Sequence, residues 1–441
     1  MGGFWDFRRF IRRLISVDEL MLQHNNNTEH IQGVGPLIAQ SSDISRTLKQ
    51  QIFEHVRGAG LCARVDISSS LRISPASVTA LVNELIQAGF VHEVTTPPRE
   101  GEPIRGRPPV SIAIRKDAFF VAGIKTNDKT HTAVIMDFAG NMLGSADIAH
   151  NSASRGANDI LKEINDVLQM ALKESGIKQS QLSAIGMGLP GLIDCAAGKV
   201  IWSPMLDQQN IALAAMASEV LNCPVFIDND TNLVTLAELW FGKGRTVSDF
   251  AVVTIEHGIG MGLVVNHRIY RGAHGVGMEL GHTKVQLDGA LCRCGQRGCL
   301  EAYVADYALV REASTALTLD PSEMGDISLI LDRLFEEAKN GHEAATTIFK
   351  RAGRYLATGL ANVVNLFDPS LVILSGARMQ YDFLYEDEVL QEMERQTLDW
   401  QRTRPDIEVH TWGDLLWAQG AAALALSELT ETLLSATSTN Q

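Results

Sequence analysis

The spacing of apolar residues near the amino terminus predicts three short helices. Apolar side chains recur at helical spacing from Ile44 to Val56, and a second short helical stretch runs from about Arg64 to Leu71. A third helix is predicted to open at Ser74-Pro75, because serine is a favoured N-cap and proline a favoured first helical residue. Gly89 closes that third helix. The chain therefore begins with a small helical unit.

Two strand-like runs, Phe90–Val94 and Val110–Ile114, follow the helices and flank a polar loop rich in proline and glycine. Three helices and a hairpin are typical of a winged helix-turn-helix, and we predict this DNA-binding domain over residues 43–115. The first turn of its third helix would face base edges or phosphates. The candidate contacts there are Ser74, Ala76, Ser77 and Thr79. A small helical bundle that binds proteins is the alternative.

The loop between the two strands contains Arg105-Gly106-Arg107-Pro108-Pro109. An extended Arg-Gly-Arg-Pro segment is narrow enough to enter a minor groove, where arginine meets the negative potential between the phosphates. Arg105 and Arg107 are therefore predicted DNA contacts. A solvated linker is the alternative, but the position of the segment after a helix-turn-helix pattern favours DNA binding.

From Ala118 onward, strand-like and helix-like runs alternate, which is typical of an α/β domain. We predict this domain over residues 116–430. Residues 1–42 are predicted to be a disordered tail, or an extension if the true start is Met21, and residues 431–441 a second tail. A basic amphipathic helix at a membrane surface is the less favoured interpretation of the first residues.

Charge and cysteine content narrow the class of protein. The 441 residues carry a formal charge of −14, yet residues 43–115 hold nine Lys and Arg against seven Asp and Glu. Nucleic-acid binding needs only a local basic face, so the overall charge does not exclude it. No apolar run is long enough to cross a membrane, and no secretory signal precedes the six cysteines. We therefore expect a cytoplasmic protein without a disulfide framework.

The clearest metal-binding pattern is a group of one histidine and three cysteines: His282, Cys292, Cys294 and Cys299. Three thiolates and one imidazole suit a closed tetrahedral zinc site, and the glycines between the cysteines permit a tight loop. Because four protein ligands leave no open position, we predict one structural Zn²⁺ per chain. Three free cysteines in a loop are the alternative.

This stretch also resembles a known family. Gly281-His282 followed by Cys-x-Cys-Gly-x-x-Gly-Cys-x-Glu is similar to the hallmark of the ROK family, which comprises repressors, open reading frames and kinases. Further segments that resemble the family are Gly186–Gly191 (its glycine-proline turn near the sugar), Asp228-Asn229-Asp230, Asp368–Gly376 and Gly420-Ala421-Ala422. The resemblance covers about residues 43–429 and is strongest to repressors of glucose, N-acetylglucosamine and xylose use.

The resemblance implies both a fold and a ligand site. The fold would be an α/β chain in which a winged helix-turn-helix precedes a two-lobed, actin-like ATPase or sugar-kinase-type domain, with a zinc loop at residues 282–299. The sugar would be bound by Asn229, Asp230, Glu279, His282 and Glu301. A neutral polyol needs several fixed carboxylates and amides, and zinc would hold part of this set in place.

The resemblance does not imply catalysis. In the kinases of the family, the aspartate that matches Asp230 is the general base, so Asp230 is here the vestigial base position and no catalytic residue is predicted. Kinases carry an early Asp-x-Gly-Gly-Thr-Lys loop that binds phosphate, and the matching stretch Gly123–Thr130 lacks the glycine pair. The second nucleotide loop, Glu256–Gly262, lacks its threonine, and His257 is predicted to face the ligand instead.

We therefore predict a sugar-responsive DNA-binding repressor of carbohydrate uptake and metabolism genes, without enzyme activity. Its partners would be double-stranded operator DNA, a sugar effector and further copies of the chain in a homodimer or homotetramer. A ROK sugar kinase with an appended DNA-binding domain is the alternative. A third hypothesis is control by a protein partner, such as a sugar-transport component.

Overall fold

The computed structural model describes the chain as two compact units. The described residues are 33–37, 46–95, 110–150, 155–318, 326–381, 387–398, 403–410 and 413–436. The first unit holds the described residues up to Ser248, Val264–Val276 and those from Asp414 onward, and the second holds those of Asp249–Leu263 and Gly277–Gly413. Arg105, Arg107 and most of the two predicted tails lie outside the described residues.

The first unit begins with an amino-terminal domain of three helices and three strands. Its helices are α1 (Leu48–Ala59), α2 (Arg64–Leu71) and α3 (Pro75–Gln87), and its strands are β1 (Leu61–Ala63), β2 (Val91–Thr95) and β3 (Val110–Ile114). The strands form an antiparallel sheet in the order β1–β3–β2. The three predicted helices and the predicted hairpin are confirmed. Strand β1 was not predicted, because three residues are too few to show an alternating pattern.

Helix α3 begins where its sequence predicts. The Ser74 side chain accepts a hydrogen bond from the Ser77 backbone N–H (3.1 Å), and Pro75 is the first helical residue. Val78, Val82 and Leu85 are buried and lie on one face of the helix at helical spacing. The opposite face and the first turn are left to solvent, as a helix that enters a DNA groove requires.

A five-stranded sheet lies at the centre of the rest of the first unit. Its strands and those of a small ribbon are β4 (Phe120–Thr126), β5 (Thr130–Asp137), β6 (Met142–Ala149), β7 (Leu182–Leu189), β8 (Leu192–Asp194), β9 (Lys199–Trp202) and β10 (Val225–Asn229). The sheet order is β10–β7–β4–β5–β6, and β8 pairs with β9. Strand β7 runs parallel to its neighbours β10 and β4. Strands β4 and β5 are antiparallel to each other, and so are β5 and β6.

Helices cover this sheet with apolar side chains. They are α4 (Ala157–Ser175), α5 (Leu213–Leu221) and α6 (Asp230–Trp240). Buried residues of α4 and α5 pack with β4, β5, β7 and β10 in one core. Helix α6 follows β10 without an intervening loop, so its first turn lies at the carboxyl end of that strand.

The second unit is also a sheet with helices. Its strands are β11 (Phe250–Ile255), β12 (Ile259–Val265, whose last two residues belong to the first unit), β14 (Leu371–Ser375) and β15 (Asp406–His410), in the order β12–β11–β14–β15. Strand β13 (Arg268–Tyr270) belongs to the first unit. The helices are α7 (Glu301–Val304), α8 (Asp306–Ala316), α9 (Ile327–Lys339), α10 (Glu343–Phe367) and α11 (Asp387–Gln396). Strand β14 is parallel to β11 and β15.

The last helix, α12 (Asp414–Ala436), returns to the first unit and packs against its sheet. A Cβ atom on Gly123 would lie 2.1 Å from the Ala418 carbonyl oxygen, and one on Gly186 would lie 1.8 Å from that of Ala421. These two glycines therefore allow the close approach of helix and sheet. The prediction of a turn from Gly186 is wrong up to Leu189, because these residues belong to β7, and the chain bends only at Pro190-Gly191.

The carboxyl-terminal boundary also differs from the prediction. Helix α12 continues through Ala436, so the predicted tail at residues 431–441 starts too early. Thr430 and Leu434 are buried, and this burial favours the extra helical turns. None of the helices in the described part of the chain has the length and apolar content needed to span a bilayer.

Candidate metal centre and ligand site

The four predicted metal ligands come together in the second unit. One ligand atom from each of His282, Cys292, Cys294 and Cys299 lies within 4.8 Å of the others. The Cys292 Sγ and His282 Nδ1 atoms are 3.7 Å apart, as are the Cys294 and Cys299 Sγ atoms. In a tetrahedral site with Zn–S bonds of about 2.3 Å, two sulfur atoms lie about 3.8 Å apart, so the spacing suits such an ion.

The loop that carries the cysteines depends on tight turns. Gly298 has a positive φ of 77°, and a Cβ atom there would lie 1.8 Å from the Gln286 carbonyl oxygen. Cys292 and Cys299 are buried, whereas Cys294 is exposed. The Lys284 ammonium donates to the Cys299 Sγ atom at 2.9 Å, which suits a thiolate in that position. The donor set and its surroundings therefore fit a metal ion.

Two predicted sugar-binding residues, Glu279 and Glu301, lie beside this cluster, and a third, His282, belongs to it. Glu279 precedes a 3₁₀ turn, Leu280–His282, so the carboxylate-bearing residue and the metal-ligating histidine share one turn. Glu301 is the first residue of α7, two positions after Cys299, and its Oε1 atom accepts a hydrogen bond from the Tyr307 hydroxyl at 3.3 Å. The metal loop and the two carboxylates are thus parts of one local structure.

The hairpin between β11 and β12 closes over Glu301. A Cβ atom on Gly258 would lie 2.9 Å from the Glu301 Oε2 atom, so the hairpin backbone approaches this carboxylate closely. His257, on the same hairpin, is half exposed, and its Nδ1 atom lies 2.7 Å from the Asp306 Oδ2 atom. The partner of His257 within the second unit is therefore a carboxylate of α8.

Asp306 is itself held by a second cation. Arg378 donates to both carboxylate oxygens of Asp306, at 2.6 and 2.7 Å, and both side chains are buried. Burial alone would raise the pKa of Asp306, but the hydrogen bonds from His257 and Arg378 hold it below its ordinary value. Sequence reasoning missed this triad, since its members are 49 and 72 residues apart.

The Asn229–Asp230 pair lies in the first unit, at the junction of β10 and α6. Asn229 is the N-cap of α6, and its side-chain oxygen accepts from the Thr231 N–H at 2.8 Å. Its amide nitrogen donates to the Gly191 carbonyl at 3.0 Å. The Asp230 Oδ1 atom also accepts from the Thr231 N–H, at 2.9 Å. Strand end and helix start therefore fix both side chains.

Behind this pair lies a buried ion pair that the sequence did not reveal. Asp228 is 1% exposed, and its carboxylate binds the Arg271 guanidinium at 2.6 and 2.8 Å. The other Asp228 oxygen accepts from the Asn229 N–H and from the Asn232 amide, both at 2.8 Å. Asp228 thus anchors the turn that presents Asn229 and Asp230. An aspartate directly before the pair was the only signal in the sequence.

The stretch that matches the kinase phosphate loop is a tight hairpin here. Gly123 and Lys125 lie in β4, and the buried Lys125 ammonium stacks on the Trp417 ring, 4.8 Å from its centroid. The Asn127 Oδ1 atom accepts hydrogen bonds from the backbone N–H groups of Lys129 (2.8 Å) and Thr130 (2.6 Å). A side chain therefore occupies backbone donors that a phosphate loop leaves for its ligand.

A second group of side chains, His131, His150 and Glu163, is also close enough to hold a metal. Its two imidazole rings are stacked with centroids 4.2 Å apart, and the Arg155 guanidinium binds Glu163 and lies 3.3 Å from the His150 Nδ1 atom. Because an arginine already neutralises the carboxylate, this group is a hydrogen-bonded structural network.

The predicted DNA contacts on α3 lie at its exposed amino end. Ser74, Ala76 and Thr79 are exposed and Ser77 is half-buried. The hydroxyls of Ser74 and Ser77 are 2.9 Å apart, and Thr79 donates to the Pro75 carbonyl at 2.8 Å. Arg72, in the turn before α3, is also exposed and has a φ of 54°.

Comparison with known proteins gives a consistent set of relatives. A family model described as the ROK family matches residues 121–428. A xylose repressor of Caldicellulosiruptor bescii is 26% identical over 376 residues, which are 84% of this chain and 92% of the relative. An N-acetylglucosamine repressor of Escherichia coli is 26% identical over 324 residues, 73% of this chain and 78% of the relative.

Two solved structures extend the comparison to the fold. A ROK family transcriptional regulator, described as a homolog of the E. coli MLC protein, has a TM-score of 0.71 and 26% identity and covers 88% of this chain and 96% of its own. A ROK hexokinase from Thermus thermophilus has a TM-score of 0.60 and 29% identity and covers 71% of this chain and all of its own. The family fold thus occurs in regulators and in kinases.

Proposed function

This chain belongs to the ROK family, and from that premise we propose that it is a sugar-responsive DNA-binding repressor of carbohydrate uptake and metabolism genes. One observation carries the proposal: an amino-terminal domain with a capped, solvent-exposed third helix precedes the ROK domain in the same chain. Sugar bound to the ROK domain would change the affinity of the amino-terminal domain for operator DNA. Release by sugar is the expected sign.

The sugar would be held by the acceptors that the structure fixes in place. In the second unit these are Glu279, His282 and Glu301, and in the first unit Asn229 and Asp230. Hydroxyl groups of an aldose donate to carboxylates and amides whose own positions are set by turns, caps and metal ligation. Pentoses and acetylated hexosamines are the classes to test first, because the repressors similar to this chain are named for them.

A structural Zn²⁺ would hold the second-unit group together. Its ligands would be His282, Cys292, Cys294 and Cys299, a closed set of four. The ion would supply no chemistry to the sugar; it would fix the His282 ring and the loop that leads into Glu301. The free energy of metal binding would therefore stabilise the shape of the ligand site.

We propose that the protein is not a kinase. By sequence resemblance Asp230 would stand at the position of the family's general base, but the stretch that matches the phosphate loop is a hairpin closed by Asn127. The nearby Lys125 is buried, with its ammonium over the Trp417 ring. This arrangement supports binding of sugar without phosphoryl transfer.

DNA binding would use α3 in the major groove. Ser74, Ala76, Ser77 and Thr79 would contact bases or phosphates there, and Arg105 and Arg107 would reach the minor groove. A two-fold operator would bind two amino-terminal domains, so we propose a homodimer or homotetramer in the cytoplasm. A sugar-transport protein is a further candidate partner.

Fluorescence anisotropy tests this function. Labelled DNA from upstream of the gene for this chain and of neighbouring sugar genes is titrated with the protein at two salt concentrations, with and without D-xylose, D-glucose or N-acetyl-D-glucosamine. We expect tight, salt-dependent binding that one sugar weakens. A chain that binds none of these DNAs and phosphorylates a sugar with ATP would instead support the kinase alternative.

A further inference from the structure

Helix α6 connects two functional parts of the first unit. Its first turn is capped by Asn229 and carries Asp230, the proposed sugar contacts, and its last residue is Trp240. The residues from Thr231 to Trp240 are all buried. At 1.5 Å per residue, its 11 residues span about 16 Å. Because a close-packed helix moves as a unit rather than bending, a shift at one end reaches the other.

The far end of α6 is held by an arginine of the amino-terminal domain. Arg57, in the last turn of α1, places its guanidinium carbon 4.2 Å from the centroid of the Trp240 ring. Its Nη1 atom donates to the Thr430 Oγ1 atom of α12 at 3.0 Å. Arg57 is 4% exposed and Thr430 2% exposed. One side chain thus joins the amino-terminal domain to two helices of the ROK domain.

Backbone contacts close the same junction. The Val34 N–H donates to the Arg57 carbonyl at 3.0 Å, and the Gly35 N–H donates to the Trp240 carbonyl at 2.8 Å. The Arg245 guanidinium donates to the Gly35 carbonyl at 3.1 Å and to the Gly58 carbonyl at 2.8 Å. The carboxyl ends of α1 and α6 are therefore tied through one short strap, residues 33–37.

Burying the Arg57 side chain at this junction costs free energy of solvation, and packing alone does not explain why an arginine stands here. Burial lowers the pKa of Arg57 to about 10, which shows how poorly the charge is solvated there. A leucine or methionine would bury the same surface without that cost. The planar guanidinium instead stacks on an indole and donates in a fixed direction, so it sets the orientation of the two helices.

The amino-terminal domain has a second, apolar contact, which Arg57 meets only at its edge: the guanidinium carbon lies 5.5 Å from the centroid of the Phe53 ring. Phe53 of α1 and Phe90 lie with ring centroids 5.3 and 6.3 Å from that of Phe138, which follows β5. Phe119 lies 4.9 Å from Phe138 in the same cluster. This cluster keeps the domain attached when the Arg57 contact is altered, so the arginine can be tested without detaching the domain.

We propose that α6 transmits sugar occupancy at Asn229 and Asp230 to the DNA-binding domain, and that Arg57 is the positioning residue at the junction. Sugar that hydrogen-bonds to Asn229 and Asp230 at the cap of α6 shifts this helix. The stacked pair of Trp240 and Arg57 transmits the shift to α1. Helix α1 packs on α3, so the recognition helix changes its orientation toward the operator. This inference rests on the proposed function.

The test compares Arg57→Met and Arg57→Lys with Arg64→Met as the matched control. Arg64 belongs to the same domain but pairs with Glu93 on the surface, away from α6. For each variant, sugar affinity is measured by calorimetry with D-xylose and N-acetyl-D-glucosamine, and operator affinity by anisotropy with and without the sugar that binds. We expect unchanged sugar affinity in all variants, a wild-type sugar effect on operator affinity of about 10-fold, and its loss in Arg57→Met.

Hydrogen exchange supplies a readout that is independent of DNA. Sugar should slow exchange in α6 and in the last turn of α1 in the wild type and in Arg64→Met, but only in α6 in Arg57→Met. Arg57→Lys should give an intermediate response, since an ammonium keeps the charge but not the stacked plane. If Arg57→Met does not fold, Thr430→Val removes the hydroxyl that accepts from Arg57, together with its own bond to the Leu426 carbonyl within α12, and should reduce the sugar effect in part.

The outcomes separate the two proposals. A wild type whose operator affinity no sugar changes overturns the proposed function and this inference with it. The inference alone is overturned if the wild type responds to sugar and its variants keep the full response. The variants that decide this are Arg57→Lys, Thr430→Val and, where it folds, Arg57→Met. Loss of the response in Arg64→Met as well would also overturn it, because the effect would then not depend on the α6 junction.

Discussion

Cys294 is the exposed member of the metal cluster, so its replacement tests the metal centre with the least disturbance of the core. We expect purified wild-type protein to contain about one zinc per chain and Cys294→Ala to contain little, because three ligands bind zinc far more weakly than four. Elemental mass spectrometry measures both. Cys223→Ala is the control, since the buried Cys223 thiol lies outside the metal cluster and donates a hydrogen bond to the Leu182 carbonyl. Full zinc content in Cys294→Ala would contradict the assignment.

His131 predicts a pH dependence of stability. Burial lowers its pKa to about 4, against the opposing effect of its hydrogen bond to Glu163. The unfolded chain therefore takes up this proton near pH 6.5 while the folded chain does not, so stability falls as the pH drops from about 6.5 toward 4. At pH 5 the loss from this residue is at most about 2 kcal/mol.

Urea denaturation at pH 7 and pH 5 measures this effect. His131→Leu should be less stable than the wild type at pH 7, since it loses the bond to Glu163, but should lose less stability on acidification. Acids that do not contact His131 affect both proteins equally, and the comparison removes their contribution. If His131→Leu loses as much stability between pH 7 and pH 5 as the wild type does, His131 is already protonated in the folded state or exposed there.

Single residues also show what sequence reasoning could reach. The four residues of the candidate metal centre lie within one short stretch, so their spacing alone predicted that they come together. Asp228 and Arg271 are 43 residues apart, and Arg57 and Thr430 are 373 apart. Nothing in the local pattern around either arginine distinguishes a buried ion pair from a solvated side chain. Such contacts depend on how the chain folds back on itself, and the sequence of one protein does not display that.

At the scale of elements, the start of α3 is the most direct target. Ser74→Ala removes the side-chain acceptor of the Ser77 N–H and should lower the free energy of unfolding by about 1 kcal/mol. Operator affinity should also fall, because the first turn of the helix frays where it meets DNA. Ser69→Ala is the control, since the Ser69 hydroxyl bonds a carbonyl within α2 and caps nothing.

Chemical denaturation and anisotropy on the same two variants decide the matter. Equal stability of Ser74→Ala and Ser69→Ala would mean that the cap contributes nothing to the domain. Reduced operator affinity in Ser69→Ala to the same extent would place DNA contacts on α2 and not on the first turn of α3.

Elements were predicted well where their pattern was periodic and less well at their ends. The start of α3 was predicted to the residue from its serine cap and following proline, and the helix ends at Gln87, shortly before the predicted stop at Gly89. The end of α12 was placed too early, because burial of Leu434 continues the helix where the local sequence is polar. The glycines of β4 and β7 indicated turns or phosphate loops, whereas their physical reason is contact with α12.

At the scale of the whole chain, two predictions are confirmed by the family match and the similar ROK regulator. One is the family, predicted from the zinc-loop motif and the further matching segments, and the other is the α/β fold class, predicted from the alternation of strands and helices. The family includes kinases as well as regulators, so fold alone does not decide between them. The decision rests on the amino-terminal domain and on the hairpin at Asn127, which are features of this chain. A sugar-responsive repressor accounts for both features.

The most direct test of that account is a thermodynamic cycle of sugar and operator on one protein. Calorimetry measures the sugar affinity of the free protein and of the protein saturated with its operator, and anisotropy measures operator affinity with and without saturating sugar. The account predicts that operator weakens sugar binding by the same factor, about 10-fold, by which sugar weakens operator binding. Equal sugar affinity with and without operator would contradict it, because the two sites would then be unlinked.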